Sequence, residues 1–222
     1  GTVTFEIDNV AQQPVALVGG VASFTATGLS GGDHDIKAHY NGSTNFSVGD
    51  GALLQHVNPI ATSTTLTLGS ATSHFGEQVA VSARVTSAAG TPTGTVIFSI
   101  DGVPGPSATL TGNDATATLS GMAIGARSIT ARYIGADSFA TGTSNAGVHT
   151  VSQATPSVLV TALPMPSVSG QAVTFSAKVS SPGGTPTGPV VFTIDGAASS
   201  PLQLINGEAT LARSDLSVGN RW

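Results

Sequence analysis

The sequence predicts an all-β chain of tandem antiparallel β-sandwiches, with about seven strands to a unit. Three observations predict it. First, the stretch Gly1-Thr-Val-Thr-Phe-Glu-Ile-Asp-Asn9 returns as Gly94-Thr-Val-Ile-Phe-Ser-Ile-Asp-Gly102. It returns again as Gly188-Pro-Val-Val-Phe-Thr-Ile-Asp-Gly196, so the offsets are 93 and 94 residues. Second, apolar and polar residues alternate between these copies, the period of a half-buried strand. Third, turn formers recur at one place in each copy: Gly19-Gly20, Gly112-Asn113 and Asn206-Gly207. Each pair accepts the positive φ that a tight hairpin demands. A repeat of this size reads as an array of small domains, not one large enzyme.

The frame divides the chain into a partial repeat at 1–58, a complete one at 59–152 and a partial one at 153–222. In the complete repeat, Leu66 and Leu68 mark the first strand. Val79, Val81, Ala83 and Val85 mark the second, matched later by Val173, Phe175, Ala177 and Val179. Val96, Phe98 and Ile100 mark the third, matched by Val3, Phe5, Ile7 and by Val190, Phe192, Ile194. Ala108 and Leu110 mark the fourth, matched by Val15, Leu17 and by Leu202, Leu204. Ala115, Ala117 and Leu119 mark the fifth. Ile129, Ala131 and Tyr133 mark the sixth, matched by Ile36, Ala38 and Tyr40. Val148 to Val151 lies on the seventh. Gly90-Thr-Pro-Thr-Gly94 and Gly184-Thr-Pro-Thr-Gly188 interrupt the chain before the third strand, where proline ends ladder pairing. No segment keeps a helical period.

Charged residues make up only 9% of the 222, against about 25% in ordinary soluble domains. Gly, Ala, Ser and Thr carry the surface instead. Seven Lys plus Arg and a net charge of −5 argue against nucleic acid and against docking on anionic membranes. The chain has no cysteine, which excludes disulfides, thiolate metal sites and a cysteine nucleophile. A unit of this length buries a sufficient core without them. No apolar run approaches the ~18 residues of a membrane span.

The pattern Gly-Thr-Val-x-Phe-x-Ile-Asp-Gly is followed by Leu29-Ser-Gly-Gly32 or Met122-Ala-Ile-Gly125. Then come Ile129-Thr-Ala-Arg-Tyr-Ile-Gly135 with Phe139, and Ile36-Lys-Ala-His-Tyr-Asn-Gly42 with Phe46. This pattern resembles the bacterial Ig-like repeat family, over the whole chain. The resemblance implies immunoglobulin-like sandwiches in secreted or surface-anchored bacterial proteins, often adhesins, where such units serve as stalk, spacer or fibre. The partners it implies are neighbouring repeats of a longer chain, lateral copies in a filament or a host or cell-surface ligand. The chain departs from antibody domains: it lacks their cysteine pair, and its only tryptophan is Trp222. A carbohydrate- or protein-binding module, or an accessory domain of a secreted enzyme, is the alternative. The first repeat enters at the third strand and the last stops before its sixth, so the expectation is a window on a longer array.

Candidate chemistry is sparse. Gly28-Leu-Ser30-Gly-Gly32 matches the hydrolase pattern G-x-S-x-G, but it joins two strands where a nucleophile elbow needs a helix, and its counterpart Gly121-Met-Ala-Ile-Gly125 has no serine. Asp33 and Asp35 are the candidate Ca2+ ligands, since Ca2+ takes six to eight oxygens. Their counterparts are Ala126 and Ser128, and a solvated loop is the preferred reading. No catalytic residue, cofactor or other metal ligand is expected. The five histidines, His34, His39, His56, His74 and His149, do not recur and are expected at surface or edge positions. Asp8, Asp101 and Asp195 do recur, and the expectation is a turn closed on its own backbone. An isopeptide bond needs a buried lysine, and Lys37 and Lys178 fall on the polar phase of their strands. Asn41-Gly-Ser43 and Asn45-Phe-Ser47 are formal glycosylation sequons. Phe5, Phe98 and Phe192 are placed inward as core.

Overall fold

The computed structural model describes residues 1–136 and 138–219, so Trp222 lies outside the described residues. It is all-β: 21 strands and no helix among those residues. Two compact units divide it. One comprises Gly1–Thr67, Val81–Ala117 and Ile129–Gly147; the other comprises Leu68–Ala80, Thr118–Ser128 and the chain from Val148 onward.

The first repeat contains β1 (Thr2–Ile7), β2 (Val10–Ala11), β3 (Val15–Ala16), β4 (Gly32–Tyr40) and β5 (Gly49–Val57). They form one sheet in the order β2-β1-β4-β5, with β3 also on β1. The register sets Val3 opposite Tyr40, Phe5 opposite Ala38 and Ile7 opposite Ile36. Alternation puts these residues on one face. Phe24 covers part of it, its ring stacked on Phe5 at 5.7 Å between centroids.

The second repeat runs β6 (Ser63–Leu68), β7 (Thr72–His74), β8 (Val79–Thr86), β9 (Gly94–Ile100), β10 (Val103–Thr109), β11 (Asp114–Leu119), β12 (Gly125–Gly135), β13 (Gly142–Thr143) and β14 (Gly147–Ser152). The sheets are β10-β9-β12-β14-β7, with β13 on β12, and β11-β8-β6. All seven expected strands are present. One pairing departs from expectation: β14 runs parallel to the unexpected short strand β7. The buried residues include Val79, Val81, Ala83 and Val85, then Val96 and Phe98, Ala115 and Leu119, Ile129, Ala131 and Tyr133, and Val151. Each run alternates, as the sequence does, which is how an immunoglobulin-like sandwich fills its interior. The Tyr133 hydroxyl donates to the Thr93 carbonyl, so its polar tip is satisfied.

The third repeat contains β15 (Ser157–Leu163), β16 (Val173–Ser180), β17 (Pro189–Val190), β18 (Thr193–Ile194), β19 (Ala197–Ala198), β20 (Leu202–Gln203) and β21 (Glu208–Arg213). The main sheet is β15-β16-β21. Its core gathers Ala177, Phe192 and Ala209, with Phe175, Leu202 and Leu211 against them. An open cleft of about 750 Å³ lies beside it, lined by Val160, Leu163, Met165, Phe175, Phe192 and Ile194.

Two expected strands differ, for one physical reason. Residues 22–31 form no strand, although their counterparts make β11. β11 pairs with β8, and the first repeat holds no counterpart of β8. Likewise the third strand of the third repeat breaks into β17 and β18: β9 pairs with β12 as well as β10, whereas among the described residues β17 pairs only with β20 and β18 only with β19. A strand without its ladder leaves backbone donors and acceptors to water and gains nothing from being extended.

Candidate functional site

Asp8, Asp101 and Asp195 all adopt positive φ, at 51°, 51° and 49°. The residue after each, Asn9, Gly102 or Gly196, follows at 68°, 81° or 82°. Positive φ at both central residues makes the two-residue hairpin turn that matches strand twist. A turn therefore stands at all three places, in a region that Asp and Asn tolerate better than most residues, but the Asp8 carboxylate bonds Asp35 and His34 and not its own backbone.

In the first repeat that turn also organises a polar cluster around Asp8, His34 and Asp35. Asp8 Oδ1 accepts from the Asp35 amide at 3.0 Å, and Asp8 Oδ2 lies 2.7 Å from His34 Nδ1. His34 Nε2 lies 2.9 Å from the Ser30 carbonyl oxygen. Aspartate, histidine and the serine of the G-x-S-x-G pattern thus stand in a row. The chemistry is not that of a triad. A general base must present a lone pair to the serine hydroxyl. Both ring nitrogens of His34 face acceptors instead, which favours the doubly protonated imidazolium. Hydrogen bonding to Asp8, first, and to the Ser30 carbonyl holds His34 above the ordinary histidine value. The same bond to His34, aided by the Asp35 amide, holds Asp8 below the usual carboxylate value.

Asp33 and Asp35 are not loop residues, which corrects that expectation: both lie on β4, opposite His56 and Leu54 of β5. They share the outward face. Asp33 Oδ1 is 2.5 Å from His56 Nδ1, and Asp35 Oδ2 is 3.3 Å from Lys37 Nζ. Lys37 also reaches Glu6 at 3.4 Å and Asn9 at 2.9 Å, on a half-exposed face. Among the described residues no group of three or more His, Asp and Glu side chains is arranged to hold a metal ion.

The expectation of surface histidines fails at two of five. His34 is buried, and His149 is completely so. His149 Nδ1 donates to the Ser70 carbonyl at 2.9 Å, so Nε2 is left to accept from Ser73 Oγ at 2.8 Å. A serine–histidine pair results, yet Ser73 is buried too and no substrate reaches it. Its role is to bond β14 to β7 and to the turn before it. The signal for both histidines lay in the strand phase: His34 stands two residues before inward Ile36, and His149 two before inward Val151. His39 pairs with Asp50 at 2.5 Å on the exposed side.

The Asp8–His34 bond predicts a pH dependence with a definite sign. A raised histidine pKa adds stability that is complete below the ordinary value of 6.5 and fades as pH rises through the raised one. A lowered aspartate pKa adds stability complete above 3.8 that fades as pH falls through the lowered one. The pair therefore stabilises the first repeat most between those two values. NMR titration of His34 should show the raised midpoint, and Asp8→Asn, which keeps the turn, should lower it. An unchanged midpoint in that variant would remove Asp8 as the cause.

Residues 66–152 match the family model described as bacterial Ig-like domain (group 3). No curated protein is similar enough to count as a match. Among solved structures, the chain is similar to the fibronectin(III)-like modules of Clostridium thermocellum CbhA. The identity is 22%, the coverage 71% of this chain and 82% of that one, and the TM-score 0.33. It is also similar to Escherichia coli alpha-2-macroglobulin activated by porcine elastase, at 12% identity and a TM-score of 0.36. That match takes in 97% of this chain but 26% of the other, so the chain spans about a quarter of that protein's length.

Proposed function

We propose that the chain is a structural segment of an extracellular bacterial surface protein, a stalk or spacer that carries an adhesive function located elsewhere. The repeats at 1–58, 59–152 and 153–222 are its links, and their natural partners are the neighbouring repeats. The observation that carries this reading is a contrast. The hairpin turn at Asp8, Asp101 and Asp195 recurs to within 2° of φ, and buried Phe98 and Phe192 recur in the core. The polar groups able to do chemistry, Asp33, His34, Asp35 and His149, recur nowhere. A design that repeats its scaffold and not its chemistry serves extension. The match of residues 66–152 to bacterial Ig-like domains supports the same reading.

Single-molecule stretching of the chain tests it. The second repeat should unfold in one event that releases roughly 300 Å of contour, the extended length of 94 residues less its folded span. A glycan array and cell-binding assay with the same chain should show no saturable binding. Saturable binding to a defined glycan or protein would replace the stalk by a binding module.

A further inference from the structure

The second repeat ends at a braced turn. After β7, the His74 amide donates to Glu77 Oε2 at 2.7 Å and the Glu77 amide returns to the His74 carbonyl at 3.0 Å. Phe75 and Gly76 sit at its tip. The Phe75 amide donates to the carbonyl of Ser152, the last residue of β14, at 2.8 Å. The turn is thus bonded to the very residue from which the linker departs.

Facing it is the turn Ser181-Pro-Gly-Gly184 of the third repeat. It is braced in its own way: the Gly183 amide donates to Ser181 Oγ at 3.2 Å and the Gly184 amide to the Ser181 carbonyl at 3.3 Å. The two turns meet backbone to backbone. A Cβ on Gly76 would fall 2.1 Å from the Gly183 Cα. A Cβ on Gly183 would fall 2.4 Å from the Phe75 carbonyl oxygen and 3.1 Å from its ring. Neither distance is open to a real side chain. Ring and turn border a cavity of about 400 Å³ whose other walls include Ile124, Ala154, Pro156 and Pro186.

Phe75 corresponds to Ser169, and Gly183 corresponds to Ala89. Both positions break the repeat, and the two breaks touch each other. Gly76 corresponds to Gly170, which has nothing within 4 Å of where a Cβ would be. Glycine at 76 is thus shared turn chemistry, while glycine at 183 and phenylalanine at 75 belong to the junction alone.

We propose that Phe75, Gly76 and Gly183 form a joint that seats the β7–β14 end of the second repeat on the third repeat in one fixed orientation. This rests on the stalk reading and deepens it: a stalk transmits its length only if its links do not fold back. Tandem domains joined by a small contact otherwise move freely. The Gly76–Gly183 contact is backbone on both sides and has no rotamers through which to loosen, the Phe75 ring walls it on one side, and each turn is braced by its own hydrogen bonds.

The experiment is a pulsed electron–electron distance measurement on the full chain, spin-labelled through Thr118→Cys and Thr210→Cys. Both positions are exposed, and the chain has no other cysteine. One narrow distance distribution is expected. Gly183→Leu should shift it and roughly double its width, because the turn is levered off its seat. Phe75→Ala removes a ring that is 41% exposed, so it leaves the core intact and gives a second reading if the leucine variant does not fold. It should broaden the distribution as well. A broad distribution in the unsubstituted chain, or no change in Phe75→Ala, overturns the joint. Neither result bears on glycan binding or on the stretching event, so the stalk proposal stands or falls separately.

Discussion

Replacing Gly94 by alanine is expected to cost the second repeat about 3–5 kcal/mol, while Gly188→Ala costs the third repeat only about 1–2 kcal/mol. The two glycines occupy the same place at the start of the third strand. Both have positive φ, +123° and +109°, so alanine strains the backbone at either. The difference is what surrounds them. A Cβ at Gly94 would stand 2.5 Å from the Ile134 carbonyl oxygen and 3.3 Å from the Tyr133 ring. The carbonyl belongs to β12, which seven register pairs hold to β9, so it has nowhere to go. At Gly188 nothing lies within 4 Å, since among the described residues no strand stands against it on that side. Urea unfolding read by hydrogen exchange of each repeat's own peptides separates the two costs. Equal losses in the two variants would show that backbone strain alone decides, and the packing argument would be wrong.

That pair also shows which parts of the fold were legible in the sequence. Gly1, Gly94 and Gly188 open the same motif because the hairpin is local: two adjacent residues of positive φ at Asp8, Asp101 and Asp195 make the same turn in all three repeats, although Asp8 also bonds His34 and Asp35. The strands of the second repeat were legible for the same reason, since alternation is local and both faces of each ladder are present. β7 was not. Its three residues are too few to show a period, and only the parallel ladder to β14 makes them a strand. Residues 22–31 and 188–198 carry the right alternation and still do not form the expected strands, because pairing is decided by residues far away in the chain. The histidines depart from expectation for a different reason. Residue type suggested exposure at His34 and His149, but position relative to Ile36 and Val151 governs, and burial is affordable because every ring nitrogen finds a partner. Asp33 and Asp35 read as a loop because charged residues are rare in strands. Their cross-strand partner His56 and their neighbour Lys37 make a strand position tolerable.

Truncating the three equivalent phenylalanines should rank the cores. Phe98→Ala is expected to cost about 3–5 kcal/mol, the usual range for deleting a fully enclosed aromatic ring. Phe98 is completely buried, and its strand neighbours Val96, Ile129 and Ala131 are buried as well. They cannot collapse into the hole without leaving their own ladders, so the cavity persists and its lining loses contacts outright. Phe192 is 7% exposed and borders the open cleft of about 750 Å³. Water already reaches that side, so Phe192→Ala enlarges an existing cleft instead of creating a sealed void, and it should cost less. Phe5 is only half-buried, and its stacking partner Phe24 is itself exposed, so Phe5→Ala should cost least. Hydrogen exchange resolved by segment should find each loss confined to the repeat that carries the substitution, with β9 and β12 deprotected in Phe98→Ala and β16 and β21 unchanged. If Phe98→Ala deprotects the third repeat to the same degree, the repeats do not close their interiors separately, and a chain of independent links cannot be the basis of its mechanics.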